Sequence, residues 1–289
     1  MRTYTLKLFM NKKQKIHQPV ALTIAGSDSG GNAGIQADLR AFHAFGVHGC
    51  TAITALTAQN PDGVYGIQTV TAPFLTQQLD AVFSAYAITA LKTGMLANAE
   101  LINAVADTLG KYQDVFAVVD PVMVATSGAK LLAPEAVDAM KTLLLPKAKL
   151  ITPNLPETEV LLDDQPVNGL DAMKKAAQSL YETFGCHVLV KGGHEVEQRA
   201  TDILFDGRTC FQLSSPVVAD PLSTHGTGCT LSAAIAAAIA CGNDLLNAVI
   251  AAKSFVYHAI LNGKYVGKEA TVMDMPLNFD REIITIKEI

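Results

Sequence analysis

The chain has 289 residues and a mass of 30.6 kDa, and 49% of its residues are hydrophobic while 17% are charged. This composition can fill a sizeable core and argues against an intrinsically disordered protein. The net charge is −5, and residues 1–17 hold five basic residues and no acidic one, so the rest of the chain is clearly acidic. That balance argues against a nucleic-acid-binding protein.

The sequence also argues against a membrane protein. The longest run of small and apolar residues, Cys229 to Cys241, is too short to cross a bilayer. Charged residues interrupt the first apolar residues, so we interpret residues 1–18 as a loosely ordered extension, with a targeting arm as the alternative. The five cysteines are scattered and form no CxxC pair. We therefore expect a cytoplasmic protein with reduced thiols, without a disulfide framework or a zinc site.

Apolar β-type runs alternate with helical patterns along residues 19–289, which we interpret as one domain. Strands are predicted at 20–25, 51–57, 115–119, 150–152 and 188–190. Helices are predicted at 34–45, 74–86, 98–109, 134–145, 170–183, 229–241 and 245–261. The region 202–213 predicts a hairpin that turns at Asp206-Gly207. This alternation predicts an α/β fold, with a mostly parallel central sheet and helices on both faces.

Ligands of such sheets bind beyond the carboxyl ends of the strands, so the loops that follow strands are the candidates for chemistry. In the loop from His225 to Thr230, Gly226 and Gly228 allow a tight turn and a close approach to a ligand. The helix that follows presents free N–H groups to an anion, most naturally a phosphoryl group. Cys229 lies at this helix start, where the pKa of a thiol tends to fall. A tight structural loop with a small buried cysteine is the alternative.

A second loop, from Gly26 to Gly34, is rich in glycine and opens a helix. It matches neither the dinucleotide-binding fingerprint nor a P-loop. It indicates either a close approach of the backbone to a ligand or a flexible surface turn. Asp38 follows in the first turns of the helix, where the helix dipole favours an acidic residue.

Further polar residues follow predicted strands. Asn154 and Glu157 share one helical face and are suited to a hydrated Mg²⁺, or they mark a helix start. Asp120 is suited to a metal, a phosphate or loop hydrogen bonding. Lys191 precedes two glycines and can reach a nucleotide phosphate, or it is a solvated side chain. Gln59 can bind the edge of a heterocycle, or it caps a turn.

Together these segments resemble the hydroxymethylpyrimidine/phosphomethylpyrimidine kinases of thiamine biosynthesis, in the ribokinase superfamily. The resemblance extends from about Val20 to about Ala259. It rests on the following segments, in this order: Ala25-Gly-Ser-Asp, Ala33-Gly-Ile-Gln-Ala-Asp38-Leu, Ile53-Thr-Ala-Leu-Thr-Ala-Gln59-Asn, Lys92-Thr-Gly-Met95-Leu, Asp120-Pro-Val-Met-Val, Ile151-Thr-Pro-Asn-Leu-Pro-Glu157, Lys191-Gly-Gly-His and Thr224-His-Gly-Thr-Gly-Cys-Thr-Leu-Ser-Ala-Ala.

The resemblance implies a Rossmann-like ribokinase fold in a single domain, usually as a homodimer. It implies an enzyme that uses ATP and Mg²⁺ to phosphorylate hydroxymethylpyrimidine and then its monophosphate to the pyrophosphate. The pyrimidine pocket that it implies is lined by Gln59, Asp38, Gly26, Met95 and Val122.

The resemblance also implies roles in phosphoryl transfer. Gly226, Thr227 and Gly228 form the anion hole, and Cys229 is the catalytic base at a position where most of the superfamily has aspartate. The residues implied for the ATP phosphates are Lys191, Asn154 and Asp120, and those implied for Mg²⁺ are Glu157 and Asp120, partly through water.

One feature departs from the family pattern, and several other functions stay open. The family commonly reads Ser-Gly-Gly-Ala-Gly where this chain has Asn32 inserted before Ala33. A pyridoxal or pyridoxine kinase with the same apparatus is the nearest alternative function. A cysteine-nucleophile transferase or hydrolase built on Cys229 and His225 is a second, and a non-catalytic pyrimidine-binding protein is a third.

Overall fold

The computed structural model describes residues 17–123, 132–196 and 199–289, so most of the predicted extension lies outside the described residues. The strands are β1 Val20–Asp28, β2 His48–Asn60, β3 Gly63–Thr69, β4 Ala90–Thr93, β5 Phe116–Val119, β6 Leu150–Ile151, β7 His187–Val196, β8 Arg199–Phe205, β9 Cys210–Pro216, β10 Lys264–Val266, β11 Ala270–Val272 and β12 Thr285–Glu288. The α-helices are α1 Gly34–Ala44, α2 Ala72–Ala85, α3 Ala99–Lys111, α4 Pro134–Ala139, α5 Leu155–Leu161, α6 Leu170–Phe184, α7 Thr227–Ala240 and α8 Leu245–Leu261.

Within the described ranges, ten strands form one sheet in the order β12-β9-β8-β7-β6-β5-β4-β1-β2-β3. The central strands, from β2 across to β7, pair in parallel. Antiparallel strands complete both edges, β3 on one side and β8, β9 and β12 on the other. The predicted mostly parallel α/β sheet is therefore confirmed.

Each face of the sheet carries its own core, as alternating side chains require. Leu22 and Ile24 of β1 pack on one face with buried residues of α2, α3 and α6. Ala21, their neighbour, packs on the other face with residues of α1, α7 and α8. Both faces are thus covered by helices, as predicted.

Helix α7 is buried almost all round by small residues. Its stretch from Ala233 to Ala238 is fully inaccessible to solvent. A helix that is apolar on every side belongs in a core, and alanines let it approach the sheet closely. Nowhere in the described part of the chain is a helix long and apolar enough to span a membrane.

The predicted elements differ from the observed ones in several places. Strands β4, β10, β11 and β12 and helix α5 were not among the predicted ranges. The predicted strand 51–57 extends to Asn60, where it turns into β3, an exposed edge strand that the pattern did not indicate. The predicted helix 134–145 is α-helical only to Ala139 and continues as a π-turn, Met140–Leu144, and a 3₁₀ turn, Leu145–Lys147. Pro146 lies in the 3₁₀ turn, and because proline has no N–H and its ring clashes with the carbonyl four residues before it, it disfavours continuation of the α-helix.

Candidate active site

Several of the predicted site residues meet beyond the carboxyl ends of β5 and β6, beside β7. Asp120 directly follows β5, and its N–H bonds to the carbonyl of Thr93 at the end of β4. A single bridge pairs Asn154, after β6, with Lys191 of β7. Parallel strands bring these segments to one edge of the sheet although they are far apart in sequence.

The ion pair between Lys191 and Asp120 forms the centre of this cluster. Lys191 Nζ lies 2.8 Å from Asp120 Oδ1, and Ser232 of α7 donates to the other carboxylate oxygen at 3.2 Å. Burial disfavours the Lys191 ammonium, but Asp120 and Glu157 outweigh it, so the pKa of Lys191 is raised. Lys191 is therefore a permanent cation at this edge of the sheet.

The amino terminus of α7 lies against this pair. A Cβ added at Gly228 would stand 3.4 Å from Lys191 Nζ and 3.8 Å from Asp120 Oδ2. Gly226 caps the helix with a φ of 86°, and among the described residues no side chain caps it. Thr227 is the first residue of α7. Its N–H donates to the Thr224 carbonyl at 3.4 Å, while the N–H groups that follow it in α7 lie next to a lysine, an arrangement suited to a phosphate.

Glu157 and Asn154 form a capping box at the start of α5. Asn154 Oδ1 accepts from Glu157 N–H at 2.8 Å, and Glu157 Oε2 accepts from Asn154 N–H at 2.9 Å. Glu157 Oε1 also accepts from Met123 N–H at 3.1 Å. The helix-start interpretation of these residues is therefore confirmed, and the same carboxylate faces the Lys191–Asp120 pair.

Glu157 and Asp120 bring more negative charge to the site than Lys191 alone neutralises, so the site can accept a cation. Burial and the neighbouring Asp120 raise the pKa of Glu157 to about 7, against the opposing effect of Lys191 and two backbone N–H groups. Two buried carboxylates thus share one lysine. No cluster of three or more His, Cys, Asp or Glu side chains suited to a metal occurs in the described ranges. Two carboxylates fit Mg²⁺, which takes few protein oxygens and keeps several waters.

Cys229 lies in the first turn of α7, close to a buried ion pair. The backbone N–H of Gly34, at the start of α1, favours its thiolate and so lowers its pKa. Burial raises the pKa of the Cys229 thiol, and Lys92 opposes this effect. The expectation of a lowered thiol pKa at the helix start was wrong, because removal from water outweighs the charges that favour the thiolate.

Asp38 is placed beneath this region and is fully buried. Lys92 Nζ lies within 2.9–3.0 Å of both carboxylate oxygens of Asp38, and Thr23 donates to Asp38 Oδ2 at 2.6 Å. Both side chains have no exposed area. Burial raises the pKa of Asp38, although Lys92 opposes it. Asp38 is thus the counterion of Lys92, the lysine that lowers the pKa of the Cys229 thiol. The implied place of Asp38 in a pyrimidine pocket stays a prediction.

The other residues implied for the pyrimidine lie along β1, β2 and the segment after β4. Gly26 is in contact with Met95, since an added Cβ would meet Met95 Cε at 2.8 Å. Gln59 Nε2 lies 3.3 Å from His225 Nε2, which joins β2 to the α7 loop. Val122, after β5, adopts a φ of 45°, unusual for a branched residue.

Asp28 organises the first glycine-rich loop, a role that the sequence analysis did not assign. Its carboxylate accepts from the N–H groups of Gly30, Asn32 and Ala33, each at 2.8 Å. An aspartate that ends a strand before glycines is a signal for such a turn. The carbonyl oxygen of Asn32 lies directly against Gly226, so the two glycine-rich loops are packed together.

Residues 28–274 match the family model described as phosphomethylpyrimidine kinase. The chain belongs to this kinase family. The kinase is 50% identical over 242 residues to a hydroxymethylpyrimidine/phosphomethylpyrimidine kinase of Rhizobium meliloti, a match that covers 83% of this chain and 90% of that protein. A Bacillus subtilis protein of the same name is 46% identical over 248 residues, or 86% and 91% of the two chains.

Solved structures place the kinase in the same group. A phosphomethylpyrimidine kinase from Clostridium difficile matches with a TM-score of 0.75 at 38% identity, over 84% of this chain and all of that one. A Staphylococcus aureus pyridoxal kinase in complex with AMP-PCP and pyridoxal matches with a TM-score of 0.83 at 33% identity, over 94% and 100% of the chains. The expected resemblance and fold are confirmed.

Proposed function

We propose that this kinase transfers the γ-phosphoryl group of ATP to hydroxymethylpyrimidine and then to its monophosphate, in thiamine diphosphate biosynthesis. The observation that carries the proposal is the meeting of Cys229, the amino terminus of α7 and the Lys191–Asp120 pair at one edge of the sheet. Family membership indicates which substrate this apparatus serves.

Positioning and charge neutralisation do most of the work in phosphoryl transfer. The N–H groups of residues 226–229 and the Lys191 ammonium hold the transferred phosphoryl oxygens. Asn154 and Asp120 border the phosphates of ATP. When bound at Glu157 and Asp120, Mg²⁺ supplies further charge neutralisation.

Cys229 removes the proton of the attacking alcohol. The hydroxyl oxygen bonds to the γ-phosphorus, its O–H bond breaks towards the Cys229 thiolate, and ADP leaves with the electrons of the broken P–O bond. Lys92 and the amino terminus of α7 favour this thiolate, whereas burial makes it a strong base.

The substrate pocket that we propose is bounded by Gln59, Gly26, Met95 and Val122. Because Gly26 has no Cβ, Met95 Cε can lie close to it, and we propose that the pyrimidine ring stacks against these two residues. The Gln59 amide offers both a donor and an acceptor to a pyrimidine edge.

We also propose that the kinase forms a homodimer through the sheet edge formed by β2 and β3. Four large apolar side chains of this edge are exposed: Leu56, Val64, Tyr65 and Ile67. Strand β3 contains no charged residue. Natural edge strands are usually protected by charges or covered by another element, so this edge calls for a cover, and a second copy of the chain supplies one.

A comparison of two alcohols tests the substrate. Steady-state ADP release is measured with hydroxymethylpyrimidine and with pyridoxine at equal ATP. The proposal predicts the larger kcat/KM for the pyrimidine, because the named relatives at 46–50% identity are pyrimidine kinases and the pyridoxal kinase structure is 33% identical. A larger kcat/KM for pyridoxine would contradict the proposal and would assign the same residues to the phosphorylation of vitamin B6.

A further inference from the structure

A third buried ion pair lies behind the active site, on residues that the proposed mechanism does not use. Lys253 of α8 places its Nζ 2.6 Å from Asp202 Oδ2 of β8, and both side chains are 7% exposed. Burying two charges costs free energy that their attraction often fails to recover. A purely structural contact between α8 and the sheet is served equally well by apolar side chains, so this pair calls for another explanation.

The second oxygen of Asp202 provides that explanation. Asp202 Oδ1 accepts the backbone N–H of Gly192 at 3.0 Å, in a buried position. Asp202 is paired with Lys191 in the β7–β8 ladder, and the register of the two strands shifts between Lys191 and Glu195. The carboxylate therefore binds the peptide at the point where β7 departs from its regular pairing.

Gly192 is held tightly on its other sides as well. A Cβ at this position would overlap the carbonyl oxygen of Thr201 and would stand 2.7 Å from Met173 Cε. The peptide that joins Lys191 to Gly192 is therefore fixed between β8 and α6. Lys191, the residue before Gly192, places its ammonium against Asp120 and the amino terminus of α7.

We propose that Asp202, itself held by Lys253, is a positioning residue for Lys191. It fixes the peptide after Lys191 and thereby sets where the ammonium lies relative to the α7 amino terminus. This inference rests on the proposed role of Lys191 in holding the phosphates of ATP. It predicts that the Asp202–Gly192 hydrogen bond affects nucleotide binding more than pyrimidine binding.

Two double variants separate this hydrogen bond from the buried charges. Asp202→Asn with Lys253→Met removes both charges and keeps an acceptor for Gly192 N–H. Asp202→Leu with Lys253→Met removes both charges and the acceptor, with a side chain of similar size. Thermal unfolding establishes that both are folded, and calorimetric titration with AMP-PCP measures nucleotide binding independently of the pyrimidine reaction.

The Asn/Met variant is expected to bind AMP-PCP as the wild type does. The Leu/Met variant is expected to bind it about tenfold more weakly and to raise the KM for ATP while leaving the KM for the pyrimidine unchanged. Equal AMP-PCP affinities in the two variants, or a parallel rise of both KM values, would overturn the inference. Because the titration needs no pyrimidine, a wrong substrate assignment shows up in the turnover assay alone.

Discussion

At the scale of single residues, the chemistry depends on how burial and charge are balanced. Cys229 and Glu157 both have raised pKa values because the fold takes them out of water. Lysines oppose the shift at both positions, Lys92 at the thiol and Lys191 at the carboxyl. The site thus holds two groups that take up protons readily beside two permanent cations.

The first prediction concerns the proposed base. Cys229→Ala is expected to lower kcat about 10²–10⁴-fold, because general-base assistance is worth that much, while AMP-PCP affinity stays the same. Cys241→Ala is the matched control, since this exposed cysteine follows the other end of α7. Near-wild-type turnover by the Cys229 variant would remove the thiol from the mechanism.

The second prediction concerns pH. Because folding raises the Glu157 pKa from an ordinary 4.5 to about 7, the protonated form is favoured in the folded state. The stabilisation is fully present below pH 4.5 and is lost as the pH rises through 7. The advantage of the wild type over Glu157→Gln should therefore shrink by on the order of 2 kcal/mol between pH 5 and pH 8.

Urea unfolding at several pH values, without Mg²⁺ or nucleotide, measures this difference. The variant also leaves one of two backbone N–H groups, that of Asn154 or that of Met123, without its acceptor, but that cost does not depend on pH. A stability difference that stays constant, or grows with pH, would show that Glu157 is already ionised in the folded protein at pH 5.

At the scale of elements, the sequence predicted the features that depend on neighbouring residues along the chain. The buried central strands appear in the sequence as apolar runs, and the three-residue spacing of Asn154 and Glu157 predicted the helix start that became a capping box. Strand β3 was missed because its side chains are exposed and do not alternate between apolar and polar. The Asp62-Gly63 dipeptide before the β-prone residues Val64, Tyr65 and Ile67 is nevertheless a hairpin signal, which the apolar pattern alone does not register.

The third prediction compares the two ends of α7. Gly226 and Gly242 have similar φ angles, 86° and 88°, so alanine at either position costs about 1–2 kcal/mol in backbone strain. A Cβ at Gly226 would also overlap the Asn32 carbonyl, whereas nothing lies within 4 Å of one at Gly242. Gly226→Ala is therefore expected to lose phosphoryl transfer, and Gly242→Ala only stability.

Turnover and urea unfolding of both variants check this expectation. The two-loop packing is needed for activity if turnover falls in the Gly226 variant alone. Equal activity of the two variants would mean that the anion loop tolerates a shift away from the first glycine-rich loop.

At the scale of the whole molecule, the site is assembled from distant segments. The Asp38–Lys92, Asp120–Lys191 and Asp202–Lys253 pairs join residues 54, 71 and 51 positions apart. Sequence spacing cannot indicate such pairs, because only the crossing of strands and helices brings them together. The lowered thiol pKa expected for Cys229 failed for the same reason, since its burial depends on α1 and the sheet.

The fourth prediction concerns assembly. Tyr65→Glu on β3 places a charge in the proposed dimer edge formed by β2 and β3, and the variant is expected to be a monomer in sedimentation velocity. Tyr265→Glu is the control, because Tyr265 is similarly exposed, 67% against 71%, but lies on the separate β10–β11 hairpin. A Tyr65 variant that sediments like the wild type would exclude the β2–β3 edge as the interface.

The most direct test of the central claim is the identification of products by mass spectrometry. The kinase is incubated with ATP and Mg²⁺ and with hydroxymethylpyrimidine, its monophosphate or pyridoxine in separate reactions. We expect the pyrimidine pyrophosphate to form in both of the first two reactions. Phosphorylation of pyridoxine alone, with neither pyrimidine modified, would contradict this expectation.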